Sequence, residues 1–259
     1  MEIVGGGFLA RHLRPDADRF PDVTVLAAGV SRIRSVPESE FERERDLVRS
    51  VAARCRRDGR QLVFLSTSTY AMYGSCSRPA AEDEPVSPET PYGQHKRELE
   101  LEVAESVPAW LVLRLTHVVG GDQPDWHLLP SLVEQFRSGV VTVHGGAYRD
   151  LIDVEDVRAI LAGLLDARTN REVVNVASGT PFAVESIVDC VERRLGKTVP
   201  REVVPGGSGK TLVSIAKLRR RAPGPSAGLG GDQYLNRLVD RYVPCYAGAG
   251  DGPGQRGEA

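Results

Sequence analysis

The chain has almost no imbalance of charge: 33 Lys and Arg stand against 35 Asp and Glu, a formal net charge of −2 at pH 7. Neither sign gathers into a strong cluster, so nothing in it invites nucleic acid. Cysteine is scarce, and the 4 present (Cys55, Cys76, Cys190 and Cys245) are scattered without metal spacing or a disulfide framework. That pattern predicts no metal site and a reducing, cytoplasmic setting. No apolar run approaches the ~20 residues of a membrane span, and the amino terminus reads as a first strand rather than a signal peptide. With those classes set aside, 259 residues are enough for one α/β domain with a small companion lobe.

What is present alternates as a doubly wound sheet requires. Met1-Glu2-Ile3-Val4 predicts a minimal strand, and Gly5-Gly6-Gly7-Phe8-Leu9-Ala10 follows as Gly-x-Gly-x-x-Ala. In a Rossmann unit the first glycine makes the tight turn and the second admits the pyrophosphate. The last small residue lets the helix pack on the sheet. Phe41, Leu47, Val48 and Val51 predict a helix from about 39 to 57, and the apolar runs 62–65 and 110–115 predict buried parallel strands.

Two segments carry chemistry. Pro91-Tyr92-Gly93-Gln94-His95-Lys96 sets a tyrosine and a lysine four residues apart, which stacks them on one face if the stretch opens a helix. A free tyrosine has a pKa near ~10, and a cation beside it favours the phenolate. The pair therefore suits proton transfer, although the same spacing also occurs by chance on solvated helix faces. Upstream, the 62–65 strand runs into Ser66-Thr67-Ser68-Thr69 and then Tyr73-Gly74. Hydroxyls at the carboxyl end of a buried strand sit where open α/β sheets bind ligands; a strand running into a polar turn would read the same way.

Hydroxyl cluster, Tyr-Gly, the acidic loop Glu82-Asp83-Glu84-Pro85 and Pro-Tyr-Gly-x-x-Lys occur in one order. In that order the chain resembles the extended short-chain dehydrogenase/reductase family, the group of nucleotide-sugar epimerases, dehydratases and ketoreductases, over roughly residues 1–243. The resemblance implies an α/β fold: a doubly wound parallel-sheet Rossmann domain with a small C-terminal substrate lobe. Residues 1–121 would form the dinucleotide-binding and catalytic region. Residues 122–243 would be mainly the substrate lobe, with segments returning to the sheet, and 244–259 a disordered tail.

It also implies NAD, or alternatively NADP, held by Gly5, Gly7, Phe8, Leu9, Ala27, Ala28, Tyr92 and Lys96. Thr67, Tyr92 and Lys96 would be the catalytic set, and Ser68, His117 and Arg149 would meet the substrate. Tyr92 would take the proton from a sugar hydroxyl at C4, Lys96 would lower its pKa and hold the nicotinamide ribose, and Thr67 would hold the reacting oxygen, with Ser68 second. His117 stands where relatives often have asparagine, as a substrate contact or a substituted acid/base. Arg149, in Gly145-Gly146-Ala147-Tyr148-Arg149-Asp150-Leu151-Ile152-Asp153, matches the family arginine that contacts a nucleotide-sugar diphosphate; a surface ion pair with Asp150 or Asp153 is the plainer alternative. Asp153 is expected to cap the next helix and Asp156 to support its first turn. Many relatives dimerise through the Tyr-x-x-x-Lys helix, which allows a homodimer here, although Leu99, Leu101 and Val103 could equally face the core.

The chain also departs from the family. After Ala10 a short helix meets Pro15, and the 22–29 strand follows almost at once, so the usual second and third strands are missing. With them goes the carboxylate expected about 20 residues past the glycines, which grips the adenosine ribose. Asp16 and Asp18 are candidates in its place, and Arg11, Arg32 and Arg34 could instead meet a phosphate. Thr67-Ser68-Thr69 lacks the acid of sugar dehydratases and decarboxylases, which leaves epimerisation or ketone reduction. Gly206-Gly207-Ser208-Gly209-Lys210-Thr211 imitates a triphosphate loop, but Val204 stands where that motif needs glycine. A rival reading keeps the scaffold and drops the chemistry: a nucleotide- or partner-binding protein without redox turnover.

Overall fold

A computed structural model describes residues 1–30, 36–207 and 209–248. Strand β1 (Glu2–Val4) leads through the glycine turn into helix α1 (Phe8–Leu13). Pro15 cannot donate a helical hydrogen bond, and the chain tightens into a 3-10 helix over Arg14–Arg19 before strand β2 (Val23–Leu26). Helix α2 (Glu38–Asp58) turns Phe41, Val48, Val51 and Cys55 inward. It stops at Gly59, whose φ of 65° is the left-handed ending glycine adopts most readily. Strand β3 (Gln61–Thr67), the single turn α3 (Tyr70–Tyr73) and strand β4 (Cys76–Ala80) follow. Helix α4 (Pro91–Ser106) starts with Thr90 accepting the Gly93 amide and Pro91 in its first turn, both favourable at a helix start.

Strands β5 (Trp110–Leu115) and β6 (His117–Val119) precede α5 (Leu128–Ser138), β7 (Val141–His144), β8 (Tyr148–Asp153) and α6 (Val154–Asp166). Then come β9 (Glu172–Val176), β10 (Pro181–Ala183), α7 (Val184–Leu195), β11 (Arg201–Val204), β12 (Thr211–Val213), α8 (Ala216–Arg221) and α9 (Gly231–Ala247). Among the described residues the central sheet is parallel and five-stranded, in the order β1-β2-β3-β5-β9. Smaller sheets join β10-β8-β6, β11-β7 and β12-β4.

Strand alternation sends side chains to opposite faces, and both faces are covered. Leu62, Phe64 and Val112 pack with Val48, Val51 and Cys55 of α2 and with Leu99 and Val103 of α4. Val63, Leu65, Leu111 and Leu113 face a larger core that includes α5, α6, α7 and α9. This is the doubly wound arrangement expected, and β1 lies at the sheet edge with β2 as its single neighbour, as the missing strands require. Leu99 and Val103 face the core, while Leu101 is 46% exposed.

One expectation needs correction: residues 244–247, expected in the tail, continue α9 to Ala247. The reason is packing: Tyr234, Leu235, Leu238, Val239, Tyr242 and Val243 bury one face of α9, and the Tyr246 hydroxyl donates to the Gly120 carbonyl. That apolar period is visible in the sequence; residues 249–259 lie outside the described part. No helix among the described residues is long and apolar enough to cross a membrane.

Candidate active site

The hydroxyl cluster folds on itself at the end of β3. Thr67 pairs with Leu115 of β5, and the Ser68 amide donates to the Leu115 carbonyl at 2.8 Å. Thr67 Oγ1 lies 2.9 Å from Thr69 Oγ1 and accepts the Thr69 amide at 3.2 Å. Thr69 caps α3 by accepting the Ala71 amide at 3.3 Å. Thr67 and Ser68 are buried, and Thr69 is partly exposed. Thr69, to which the sequence alone assigns no role, joins the Thr67 hydroxyl to the helix cap; a threonine before a short helix is the signal for it. The Ser68 hydroxyl is buried without a protein partner.

Tyr92 sits in the first turn of α4, packed with Val30, Phe41 and Ala71. Gly93 makes this possible, because a Cβ there would fall 1.8 Å from the Ala71 carbonyl oxygen. Only glycine lets α3, with its Thr69 cap, seat against the start of α4. Lys96 Nζ lies 5.8 Å from the centre of the Tyr92 ring and 5.3 Å from that of Phe64, so the four-residue spacing does place both on one helix face. Lys96 also donates to Glu44 Oε1 at 2.6 Å. Burial raises the Tyr92 phenol above its ordinary range, Lys96 opposes that and Glu44 reinforces it; the net direction is up. For Lys96 burial works against the ammonium, but Tyr92 and Glu44 outweigh it and the net direction is also up.

A second buried ion pair stands behind the first. Arg114 grips Glu100 through Nε at 2.9 Å and Nη2 at 2.7 Å. Its Nη1 donates to the Tyr73 hydroxyl at 2.7 Å, which donates to Asn175 Oδ1 at 2.8 Å. Ser66 donates to Glu100 Oε1 at 2.6 Å. The network ties β3, α4, β5 and β9 to the Tyr73-Gly74 turn, and Glu100 was not legible as its centre.

At the glycine turn, Gly5 has φ 138° and a Cβ there would sit 2.4 Å from the Ala27 carbonyl oxygen. At Gly6 and Gly7 a Cβ would meet nothing within 4 Å. Gly5 is thus needed for close approach to the end of β2, and the next two glycines border open space. The Ala27 amide donates to the Val4 carbonyl at 2.9 Å, which holds Ala27 and Ala28 beside the turn. Phe8 turns its ring toward Gly120 and His12, and Leu9 is partly buried behind it.

The adenosine side is different. Among the described residues no strand lies beyond β1, so no strand-end carboxylate stands there. Asp16 pairs with Arg158 at 3.1 Å, and Arg11 with Asp122 at 2.7 Å; packing has used both. Arg32 and Arg34 lie outside the described residues. Among the described residues, the open glycine turn suits a dinucleotide's pyrophosphate, and none supplies the familiar ribose carboxylate.

In the lobe, His117 on β6 and Arg149 on β8 lie on neighbouring strands. His117 Nδ1 is 3.3 Å from the Asp150 carbonyl oxygen, and burial together with the Arg149 charge lowers the imidazole to about 3. Arg149 Nη1 donates to the Tyr148 carbonyl at 2.7 Å. Asp150 accepts the Ser178 and Gly179 amides at 2.8 and 2.9 Å. Asp153 caps α6 on the Glu155 amide at 2.9 Å, and Asp156 accepts the Tyr234 hydroxyl at 2.6 Å. The triphosphate-loop imitation is part of another structure: β12 pairs with β4, and the Thr211 hydroxyl donates to the Gly74 carbonyl at 2.7 Å.

A model of the NAD dependent epimerase/dehydratase family matches residues 15–177, well over half of the chain, and the chain belongs to that family. It is similar to UDP-glucose 4-epimerase of Streptomyces lividans, 29% identical over 195 residues that cover 64% of this chain and 57% of the relative. The UDP-glucose 4-epimerase of Neisseria meningitidis serogroup A is 30% identical over 178 residues, 57% of this chain and 52% of that relative. The chain thus spans little more than half the length of these relatives. Among solved structures, Thermus thermophilus UDP-glucose 4-epimerase in complex with NAD superposes with a TM-score of 0.78 at 20% identity, covering 96% of this chain and 100% of that one. RMD from Pseudomonas aeruginosa complexed with NADPH gives 0.76 at 18%, covering 95% and 98%. At such identities these likenesses speak for the fold.

Proposed function

We propose that the chain is an NAD- or NADP-dependent nucleotide-sugar epimerase or 4-ketoreductase, with Thr67, Tyr92 and Lys96 as its catalytic set. One observation carries this reading: Tyr92 and Lys96 share one face of α4, and Gly93 brings the Thr67–Thr69 turn against the start of that helix. Among the described residues no hydrogen bond holds the Tyr92 hydroxyl, which leaves it for a substrate oxygen. A bound nicotinamide would supply the hydride acceptor and donor. The chain's own part is then to move a proton at the Tyr92 oxygen, to hold the reacting oxygen with Thr67 or Ser68, and to keep Lys96 charged beside them. Gly5 and Gly7 would lie along the pyrophosphate, with Phe8, Leu9, Ala27 and Ala28 beside it. Arg149 and His117 would face the diphosphate and sugar of the substrate. Residues 1–121 thus serve cofactor and chemistry and 122–243 mainly substrate, in a cytoplasmic protein that can pair through α4.

The strand end Thr67-Ser68-Thr69 carries no carboxylate, which supports epimerisation or reduction over elimination and decarboxylation. A second reading, nucleotide or partner binding without turnover, draws support from the lone position of β1 at the sheet edge. A nucleotide assay separates them: any retained ligand is released by heat and identified by mass spectrometry, and NAD(H) and NADP(H) are titrated separately. Tightly retained NAD is the expected result for an epimerase, and reversible binding of a reduced dinucleotide for a ketoreductase. Binding of neither overturns both enzyme readings.

A further inference from the structure

Glu44 lies 52 residues before Lys96 in the chain and is bonded to it in the fold. It projects from α2 and is 2% exposed. Oε1 accepts Lys96 Nζ at 2.6 Å; Oε2 accepts the Val30 amide at 3.0 Å and stands 3.1 Å from His95 Nε2. Gly29, with φ 144°, makes the room, since a Cβ there would fall 2.1 Å from Glu44 Oε1. One carboxylate therefore meets the turn after β2, the body of α2 and two successive residues of α4.

Stability alone does not account for such a residue, because a buried ion pair is often matched or bettered by apolar side chains of similar volume. Its position gives another reason. Among the described residues, the other groups facing Lys96 are the Tyr92 ring at 5.8 Å, the Phe64 ring at 5.3 Å and, further off on α4, Glu100, whose carboxylate is taken by Arg114. Around Tyr92 stand the uncharged Val30, Phe41 and Ala71, and Phe41 also covers the His95 ring at 4.6 Å. Glu44 is the carboxylate in direct contact with the cation that Tyr92 faces.

We propose that Glu44 is a positioning residue of this site: its carboxylate fixes the Lys96 ammonium against the Gly29–Val30 turn and balances the positive charge presented to Tyr92. The inference rests on the proposed role of Tyr92 and Lys96 and deepens it. An isolated cation lowers a nearby phenol's pKa, and a cation already paired does so far less. Without cofactor, Tyr92 thus stays protonated at neutral pH as a proton donor. Lys96 has three N–H donors, and Glu44 takes one, which leaves the others for a sugar or ribose hydroxyl.

The test is a titration of Tyr92 in the cofactor-free protein, read as tyrosinate absorbance with Y92F subtracted, in wild type, E44Q and E44D. Removing the charge with E44Q is expected to lower the Tyr92 midpoint by about 1 to 3 units, and E44D, which keeps the charge, to hold it within about half a unit of wild type. A purely structural strut would lower thermal stability in both variants and leave the midpoint unmoved; that result, or an equal drop in E44D, overturns the proposal. Should E44Q fail to fold, wild type decides by carbon-13 labelling of tyrosine Cζ, with Y92F for assignment. A Tyr92 midpoint at or above the ordinary ~10 supports the role, and one about two units below it overturns it. The titration needs neither substrate nor turnover. An inactive protein that shows the shift overturns the proposed activity alone, and an active one without it overturns the role of Glu44 alone.

Discussion

The two sides of the central sheet are built by different means. At the edge, β1 has one neighbour among the described residues, and the turn after it is three glycines whose contribution is backbone shape. In the middle, β3 and β5 are flanked by two buried ion pairs, Glu44–Lys96 and Glu100–Arg114, each fixed by further hydrogen bonds. A turn of glycines needs only its own few residues and one close contact with Ala27. The middle of the sheet needs α2, α3, α4, β3 and β5 in register, because each buried charge there is compensated from another element. That contrast explains how a chain can lack two strands at one side and keep both buried ion pairs at the other.

The contrast is most directly broken at Tyr92. Tyr92→Phe is expected to reduce turnover by about 10²–10⁴-fold with an unchanged melting temperature, measured on a nucleotide sugar that wild type converts; unchanged turnover would sink the mechanism. Next comes the ion pair behind it. Arg114→Met takes from Glu100 the cation that grips it through two bonds and leaves it only the partly exposed Arg97 at 3.0 Å, at an expected cost of about 3–5 kcal/mol in urea denaturation, above the range expected for a change in the glycine turn.

Acid sharpens the comparison between carboxylates. Glu44 is lowered from 4.5 to about 2: burial opposes ionisation, but the His95 bond and the Lys96 charge outweigh it. Its stabilisation is complete above 4.5 and is lost as the pH falls toward 2. Asp150 is raised from 3.8 to about 6 by burial, against the bonds from Ser178 and Gly179. Its sign is opposite: stability is greatest below 3.8 and is lost as the pH rises through 6. Each amounts to about 3 kcal/mol at most. Denaturation measured from pH 2 to 7 should lose the low-pH limb in Glu44→Gln and the 3.8-to-6 limb in Asp150→Asn; limbs unchanged in both variants would contradict these assignments.

Within the glycine turn, Gly5→Ala forces a residue with Cβ into φ 138° against the Ala27 carbonyl and is expected to cost about 1–3 kcal/mol. Gly7→Ala meets open space, so it should spare the melting temperature and weaken dinucleotide binding, as titration of NAD(H) will show. Smallest of all, Leu101→Ala removes a side chain 46% exposed and should change stability by within about 0.5 kcal/mol. A larger loss that depends on protein concentration would reveal pairing through α4.

Much of this was legible from local pattern. A three-residue strand before Gly5, apolar runs at Leu62–Leu65 and Trp110–Leu115, and the Tyr92–Lys96 spacing depend on neighbours in the chain. So does the absence of room for two further strands between Ala10 and Asp22. Hydrophobic period, turn chemistry and helical spacing operate over a few residues, and they suffice to place these parts. Glu44, Glu100, the link from Thr67 to Thr69, and the use of Asp16 and Arg11 in surface ion pairs were settled only in three dimensions. Their partners lie across other elements, Lys96 52 residues from Glu44 and Asp122 111 residues from Arg11, and a charge's meaning depends on what the fold sets against it and how much water it excludes.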